Sequence, residues 1–294
     1  SVEKPSSDAQ SGGKVPLVEL KNIGKSYGNI TALKDICLRV HAGEVTGILG
    51  DNGAGKSTLI KIIAGLHQQS EVELFVDGKP TTFSSPAEAL GKGIATVYQN
   101  LAVVPLMPVW RNFFLGQELR KKTFPFSLDA NAMRATTLSE LSKMGIDLPD
   151  VDVPIGSLSG GQKQCVAIAR AVFFGARVLI LDEPTSALGV AQTSMVLKYI
   201  NQVRTKGLGV IFITHNVRHA FAVGNRFTVL NRGKTLGTHA KDEITIDDFL
   251  KVDLRVAEAK LRRATGRGPA IQVPADRADA PYEHVGLFGK GERP

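Results

Sequence analysis

The sequence predicts an α/β fold in which helices cover a parallel sheet, and three observations support this. Short apolar segments alternate with helical segments along most of the chain. A glycine-rich loop at residues 50–58 joins one apolar segment to a helix, and two adjacent carboxylates, Asp182 and Glu183, end another apolar segment. Repeated alternation of strand and helix favours a sandwich built on a parallel core sheet.

Composition limits the class of protein. Of 294 residues, 43% are hydrophobic and 22% are charged, which is typical of a globular chain with one large domain or two small ones. No apolar run approaches the roughly 18 residues of a membrane-spanning helix. The net charge of +8 is too diffuse to indicate nucleic acid or anionic lipid. Cys37 and Cys165 lie in apolar runs, so both are expected to be buried, reduced thiols.

The first hundred residues alternate strands with one clear helix. Residues 1–16 are expected to form a flexible leader, because they are polar and lack the apolar core of a secretory signal. Residues 56–64 have helical apolar spacing, and Gly65 ends the helix. The turn Asp77-Gly78 indicates a hairpin. Alternating or continuous apolar residues predict strands at 17–23, 32–40, 44–49, 72–76 and 94–98.

The rest of the chain interrupts the alternation once and then resumes it. Residues 101–156 are predicted to form an inserted, mostly helical subdomain punctuated by prolines. The domain is expected to span residues 17–245, followed at 246–294 by a C-terminal helix (to about 263) and a weakly ordered tail. Within the domain, helices are predicted at 159–174, 190–206 and from 216, strands at 178–181 and 210–214, and a closing hairpin at 227–230 and 234–238.

The glycine-rich loop predicts a phosphate-binding site. It has the pattern G-x-x-x-x-G-K-[ST], and its glycines let successive backbone N–H groups point at one anion. The following helix adds its positive end. Lys56 can reach the β- and γ-phosphates, and the Ser57 hydroxyl can bind Mg²⁺. The predicted binding residues are Gly50, Asp51, Asn52, Gly53, Ala54, Gly55, Lys56, Ser57 and Thr58.

A second group of residues predicts the remaining chemistry of a triphosphate site. The hydroxyl of Ser159 and the N–H groups of Gly160 and Gly161 head a helix and form a second anion site. Asp182 ends an apolar strand and is placed to hold Mg²⁺, directly or through water. Glu183 points elsewhere and can orient or deprotonate a water molecule.

These segments, in this order, resemble the ABC ATPases from about Leu17 to Gly237. Residues 50–58 resemble the Walker A motif, residues 178–183 resemble Walker B, and Leu158-Ser159-Gly160-Gly161-Gln162 matches the family's signature. The resemblance implies a P-loop NTPase (RecA-like) core with an antiparallel β subdomain and an inserted α-helical subdomain. It also implies ATP and Mg²⁺ as cofactors.

The resemblance assigns roles to further residues. It implies that Glu183 is the catalytic glutamate. It also implies that the switch histidine His215 holds the γ-phosphate end of the network and that Lys56 stabilises charge on the phosphates. Tyr27 stacks on adenine. Gln99 links the metal site to the helical subdomain and joins Ser57 and Asp182 near Mg²⁺.

The resemblance further implies a head-to-tail dimer. Two ATP molecules lie between Walker A of one subunit and residues 159–162 of the other, and the partner is a second copy or a paralogue. Gly189 departs from the family, which usually has aspartate there to couple the two sites, so Gly189 is left out of the site.

Three classes of function are considered: a transporter motor, a soluble ABC ATPase acting on DNA or ribosomes, and a nucleotide-dependent scaffold. The chain lacks the heptads, the zinc-binding cysteines and the second cassette of the soluble members. Glu183 argues against a scaffold without turnover. The resemblance therefore implies a peripheral protein on the cytoplasmic face of the cell (inner) membrane, with a membrane permease and no nucleic acid as partner.

Residues in and around the inserted segment suggest the cargo. Residues 97–101, 112–118 and 186–189 are similar to the ATPases of ribose, xylose and fructose importers. This favours sugar import with an extracytoplasmic solute-binding protein, and another small solute such as an amino acid is the alternative. Apolar residues between Gln99 and Leu115 are expected to fill the subdomain core and to line a groove for a permease helix.

Overall fold

Two β-sheets carry the fold in the computed structural model, which describes residues 15–67, 71–122 and 126–249. The chain divides into two compact units, Ser1–Ile246 and Asp247–Pro294, and every element named below belongs to the first. Most of the predicted leader, the tail, and the C-terminal helix beyond residue 249 lie outside the described residues.

The elements follow one another much as the sequence predicts. In chain order they are β1 (Val18–Tyr27), β2 (Ile30–Val40), β3 (Val45–Leu49), α1 (Lys56–Ile63), β4 (Glu71–Val76), β5 (Lys79–Pro80), α2 (Pro86–Gly91), β6 (Ile94–Val97), α3 (Val109–Phe114), α4 (Ala130–Lys143), α5 (Gly160–Phe173), β7 (Val178–Asp182), α6 (Val190–Thr205), β8 (Gly209–Thr214), α7 (Val217–Val223), β9 (Arg226–Asn231) and β10 (Lys234–Ala240).

The smaller sheet is antiparallel, with strand order β2-β1-β4-β5. Its inner face buries Ile36, Leu38 and Val40 of β2. Side chains alternate between the faces of a strand, so Cys37 between them points outward. The prediction that Cys37 is buried is therefore wrong, whereas Cys165 is buried as predicted.

The larger sheet has the order β10-β9-β3-β8-β7-β6, and only its edge strand β10 pairs antiparallel. Every residue of β3 and β8 is buried, as expected of parallel strands covered on both faces. The carboxyl ends of β3, β8 and β7 therefore meet at one edge. In such sheets this edge is where ligands bind.

The inserted segment is less helical than predicted. Between residues 101 and 156 the described helices are α3, α4 and the start of a short 3₁₀ turn, Ile155–Ser157, and the rest is loop. The prolines that punctuate the segment prevent continuous helix. Buried Asn112 holds the loop instead, by donating to the carbonyls of Val104, Met107 and Pro108.

Candidate functional site

A cavity of about 490 Å³ opens at the edge where β3 and β7 end. It brings together two predicted features that lie far apart in sequence, the phosphate loop and the carboxylate pair. The cavity is lined by Ile30, Thr31, Ala32, Asp51, Asn52, Gly53, Gly55, Lys56, Ser57, Thr58, Gln99, Asp182, Glu183 and Arg232.

The phosphate loop follows β3 and leads into α1. Gly55 has φ 104°, a conformation open to glycine but strained for other residues. The Lys56 ammonium donates to the carbonyls of Gly50 and Asp51, the latter at 3.1 Å. Burial lowers the pKa of Lys56, while Glu183 and Asp182 act in the opposite direction. The loop therefore holds its cation inside a cluster of carboxylates.

The backbone turns sharply between the two carboxylate residues at the end of β7. Asp182 ends the strand, and Glu183 adopts φ 49°, in the left-handed region that is uncommon for residues other than glycine. Glu183 Oε1 lies 3.0 Å from His215 Nδ1, and Thr214 donates its hydroxyl to Oε2 at 3.3 Å. The structure therefore places His215 against Glu183, whereas the resemblance assigns His215 to the γ-phosphate end of the network.

A divalent cation fits the oxygen donors of this cavity. Burial raises the pKa of Asp182, and the neighbouring Glu183 raises it further, whereas Lys56 lowers it. A cation would relieve the repulsion between the two carboxylates. Ser57 and Gln99 line the same cavity. No group of three or more His, Cys, Asp or Glu residues in the described part of the chain forms a metal cage. One carboxylate together with substrate phosphates is how Mg²⁺ is usually held.

Gln99 contacts both the cavity and the loop that follows β7. It lines the cavity, and its amide nitrogen donates to the Ser186 hydroxyl at 3.1 Å. Gln99 thus ties the start of the inserted segment to the residues that follow Glu183.

The residues of the second predicted anion site lie outside the lining of this cavity. Ser159 accepts from the N–H of Gln162 at 3.2 Å, and the Gln162 side chain accepts from the N–H of Ser159 at 2.9 Å. This is a reciprocal cap on α5. A Cβ on Gly161 would lie 3.2 Å from backbone atoms of Gln192, so the helix start needs a very small residue to pack against α6.

Tyr27, the predicted adenine platform, is also outside the cavity lining. Its side chain is exposed, the Lys25 ammonium lies 5.4 Å from its ring centroid, and the His67 ring meets it edge-on at 5.9 Å. Ile30, three residues later and 72% exposed, does line the cavity. Sequence reasoning missed Ile30, Thr31 and Ala32, although an exposed isoleucine beside a hairpin turn is a detectable signal.

Gly189, where the resemblance expects aspartate, is the N-cap of α6. It has φ −68° and ψ 166°, and no side chain caps the helix. A Cβ at Gly189 meets no other atom within 4 Å. The position thus has room for a side chain.

His219 on α7 links the loop after β8 to the loop after β7. Its Nδ1 lies 3.0 Å from the Thr185 hydroxyl, and its Nε2 lies 3.3 Å from Asn216 Nδ2. The oxygen of Asn216 accepts from the His219 N–H, so Nδ2 is a donor and Nε2 must accept. His219 is therefore a neutral imidazole that donates from Nδ1 to Thr185.

We expect Thr185→Val to lower the free energy of unfolding by about 1–3 kcal/mol, because buried Thr185 is the acceptor of His219. Thr205→Val removes an exposed hydroxyl instead and should cost less. Chemical denaturation of both variants checks this. An equal loss in the two variants would show that the Thr185–His219 bond contributes nothing.

The link should also weaken in acid. The pKa of His219 lies below the usual 6.5 because burial disfavours the imidazolium, and His215 acts in the same direction while Glu183 opposes it. The stabilisation is therefore fully present above that value and is lost as pH falls through the lowered pKa. His219→Asn keeps a donor but cannot titrate. Its unfolding free energy should change less than the wild type's between pH 8 and about pH 5.

Known proteins are similar to this chain over most of its length. A family model described as "ABC transporter" matches residues 33–186. The xylose/arabinose import ATP-binding protein XylG of Sulfolobus acidocaldarius is 40% identical over 245 residues, which is 83% of this chain and 96% of the relative. The fructose import ATP-binding protein FrcA of Rhizobium meliloti is 41% identical over 239 residues, 79% of this chain and 92% of the relative.

Longer relatives and solved structures agree with this similarity. Among ribose-type import proteins, the chain covers only about half of the relative, for instance 57% of a protein from Streptomyces avermitilis. A dimeric ATP-binding cassette solved after hydrolysis, with ADP and phosphate bound, superposes with a TM-score of 0.64 at 28% identity. The match covers 76% of this chain and 98% of that one.

Proposed function

Because this chain belongs to the ABC transporter family of ATPases, we propose that it energises the import of a sugar through a separate membrane permease. The observation that carries the proposal is its similarity, over more than nine-tenths of their length, to two proteins named for sugar import. No helix in residues 15–67, 71–122 or 126–249 is long and apolar enough to cross a bilayer.

The cavity supports binding of ATP with Mg²⁺. The loop N–H groups and Lys56 would face the phosphates, and Ser57, Gln99 and Asp182 would hold the metal. Bound Mg²⁺ neutralises charge on the phosphates. Ile30 and Tyr27 flank the hairpin turn beside the cavity and offer apolar surface to the base.

Glu183 carries the reaction. Its carboxylate accepts a proton from water as the water oxygen attacks the γ-phosphorus, and the bond from that phosphorus to the β–γ bridging oxygen breaks to release ADP. His215 orients Glu183 through the 3.0 Å contact. Lys56 stabilises the charge that develops on the phosphates.

The second anion site requires a partner subunit. Residues 159–162 do not line the cavity of their own chain, so we propose that they cover the nucleotide of a second copy or a paralogue, head to tail. A cassette of this fold that was solved after hydrolysis, with ADP and phosphate bound, is dimeric, which supports the pairing of two subunits. In this arrangement ATP closes the dimer and hydrolysis opens it.

A second, apolar cavity of about 270 Å³ supports docking of the permease. Leu101, Ala102 and Val103 from the segment after Gln99 form one wall, and residues of α5 such as Ala167 and Ala171 form another. The core residues of the segment, including Phe113 and Phe114, are fully buried. The predicted division of this apolar stretch into core and groove is supported by these positions.

We expect Ala102→Asp to reduce the amount of permease that co-purifies from detergent-solubilised membranes by at least about tenfold. The reason is that a carboxylate would be buried against an apolar helix. Leu138→Asp is the matched control, since Leu138 is an exposed apolar residue on α4 outside the groove. Mass spectrometry should identify a polytopic permease. Ribosomes or DNA in its place would favour a soluble ABC ATPase.

The cargo is tested with the reconstituted complex. ATP hydrolysis in vesicles containing permease and solute-binding protein should rise on adding the cognate sugar. A rise with an amino acid and no sugar would contradict sugar import and leave the transport role intact.

A further inference from the structure

The turn between β9 and β10 forms one wall of the nucleotide cavity. β9 runs parallel to β3, with Leu49 beside Val229, so β9 ends next to the point where the phosphate loop begins. A Cβ on Gly50 would lie 2.4 Å from the Leu230 carbonyl oxygen, and one on Gly55 would lie 3.4 Å from the Gly233 Cα. The start of the loop therefore lies against the end of β9, and its last residue lies against the turn.

Hydrogen bonds fix the turn in place. Gly233 donates its N–H to the Ala54 carbonyl at 2.9 Å, and Lys34 donates its N–H to the Gly233 carbonyl at 2.7 Å. A Cβ on Gly233 would lie 2.3 Å from the Ala32 carbonyl oxygen, so only glycine fits. The side chain one residue earlier, Arg232, is held at the cavity as a result.

Arg232 is an unusual residue for this turn. Arg232 and Gly233 both have positive φ, 48° and 74°, the pattern of a two-residue type I′ hairpin turn, which prefers Asn, Asp or Gly at its first position. Another turn of this kind, between β4 and β5, has Asp77 there at φ 51°. A strained residue of unfavoured type at a binding cavity indicates a role other than folding.

Arg232 is also a cation that no group in the described part of the chain pairs with. No hydrogen bond or ion pair joins its guanidinium to the described residues, and its side chain is exposed. The cavity lining that the structure describes contains three carboxylates and only one other cation, Lys56. Lys56 donates to loop carbonyls inside the cavity, whereas Arg232 stands at its rim.

We propose that Arg232 is a further nucleotide-binding residue, whose guanidinium contacts the phosphates of the bound triphosphate from the β9–β10 turn. This rests on the proposed function as an ATPase. Guanidinium donors pair with phosphate oxygens in charge-assisted hydrogen bonds, and the phosphate loop places those oxygens within the same cavity. No other part of the described structure competes for this side chain.

The test uses the full chain and titration calorimetry with a non-hydrolysable ATP analogue, ADP and AMP. Arg232→Asn installs a residue that the turn favours, so the fold should be retained. The affinity for the triphosphate analogue should fall about three- to tenfold, with a smaller loss for ADP and the smallest for AMP. Arg232→Lys should restore part of it.

Lys234→Gln is the matched control, because Lys234 lies two residues away, carries the same charge and does not line the cavity. Equal affinities for Arg232→Asn and Lys234→Gln would overturn the proposal, as would an equal loss for all three nucleotides. The Lys56→Ala variant distinguishes failure of the ATPase proposal from failure of the Arg232 proposal. If Lys56→Ala binds the triphosphate analogue as tightly as the wild type, the ATPase proposal is wrong and the Arg232 proposal fails with it. If Lys56→Ala loses affinity but Arg232→Asn does not, only the Arg232 proposal is wrong.

Discussion

Glu183→Gln is expected to bind ATP, to form a stable dimer and to lose about 10²–10⁴-fold in turnover. The amide cannot accept the proton of the attacking water, although it preserves the shape of the side chain. Thr214 and His215 hold Glu183 within 3.3 Å and 3.0 Å, so the water-facing position should be retained. Because the phosphates stay intact, the nucleotide continues to bridge the two subunits.

Two measurements check this result. Steady-state phosphate release gives the turnover, and light scattering with ATP and Mg²⁺ gives the oligomeric state. Glu73→Gln, an exposed acid on β4, is the matched control and should remain active and return to monomer after hydrolysis. A Glu183→Gln protein that hydrolyses at the control rate would remove Glu183 from catalysis.

Lys56→Ala is expected to reduce ATP hydrolysis by at least about 100-fold, because the loop then lacks the buried cation that faces the phosphates. Lys56 is 8% exposed and lies among carboxylates, so its removal leaves excess negative charge in the cavity. Affinity for ATP should fall as well, since repulsion between those carboxylates and the triphosphate is no longer offset.

Lys61→Ala provides the comparison on the same helix. Lys61 lies in the last turn of α1, is exposed and does not line the cavity, so its loss should leave hydrolysis nearly unchanged. Thermal unfolding separates a catalytic defect from a misfolded protein. Full activity in Lys56→Ala would disprove the assignment of the phosphate loop.

The sequence alone predicts those site residues that can be recognised from the residues next to them in the chain. The phosphate loop is recognisable because strand, glycines, lysine and helix follow one another. Asp182 and Glu183 are recognisable because they end an apolar strand. The family resemblance supplies His215 and Gln99, and the structure joins the first to Glu183 and the second to the cavity.

Tertiary pairing supplies what the sequence does not reveal. Arg232 lies near the phosphate loop because β9 pairs with β3. The residues around Arg232 in the sequence do not indicate this pairing. His219 and Thr185 meet for a similar reason, since β7 and β8 are adjacent. The excess helix predicted at 101–156 is proline-rich loop, in which the Asn112 side chain donates to three carbonyls.

The carboxyl ends of β3, β7 and β8 anchor the reacting groups, whereas the apolar groove is built largely from the loop after Gln99 and from α5. This separation makes the molecule modular. If the proposed docking is correct, changes in the loop after Gln99 would alter which permease is bound without changing the strand ends at the nucleotide cavity. The same ATPase domain would then act with permeases for different substrates.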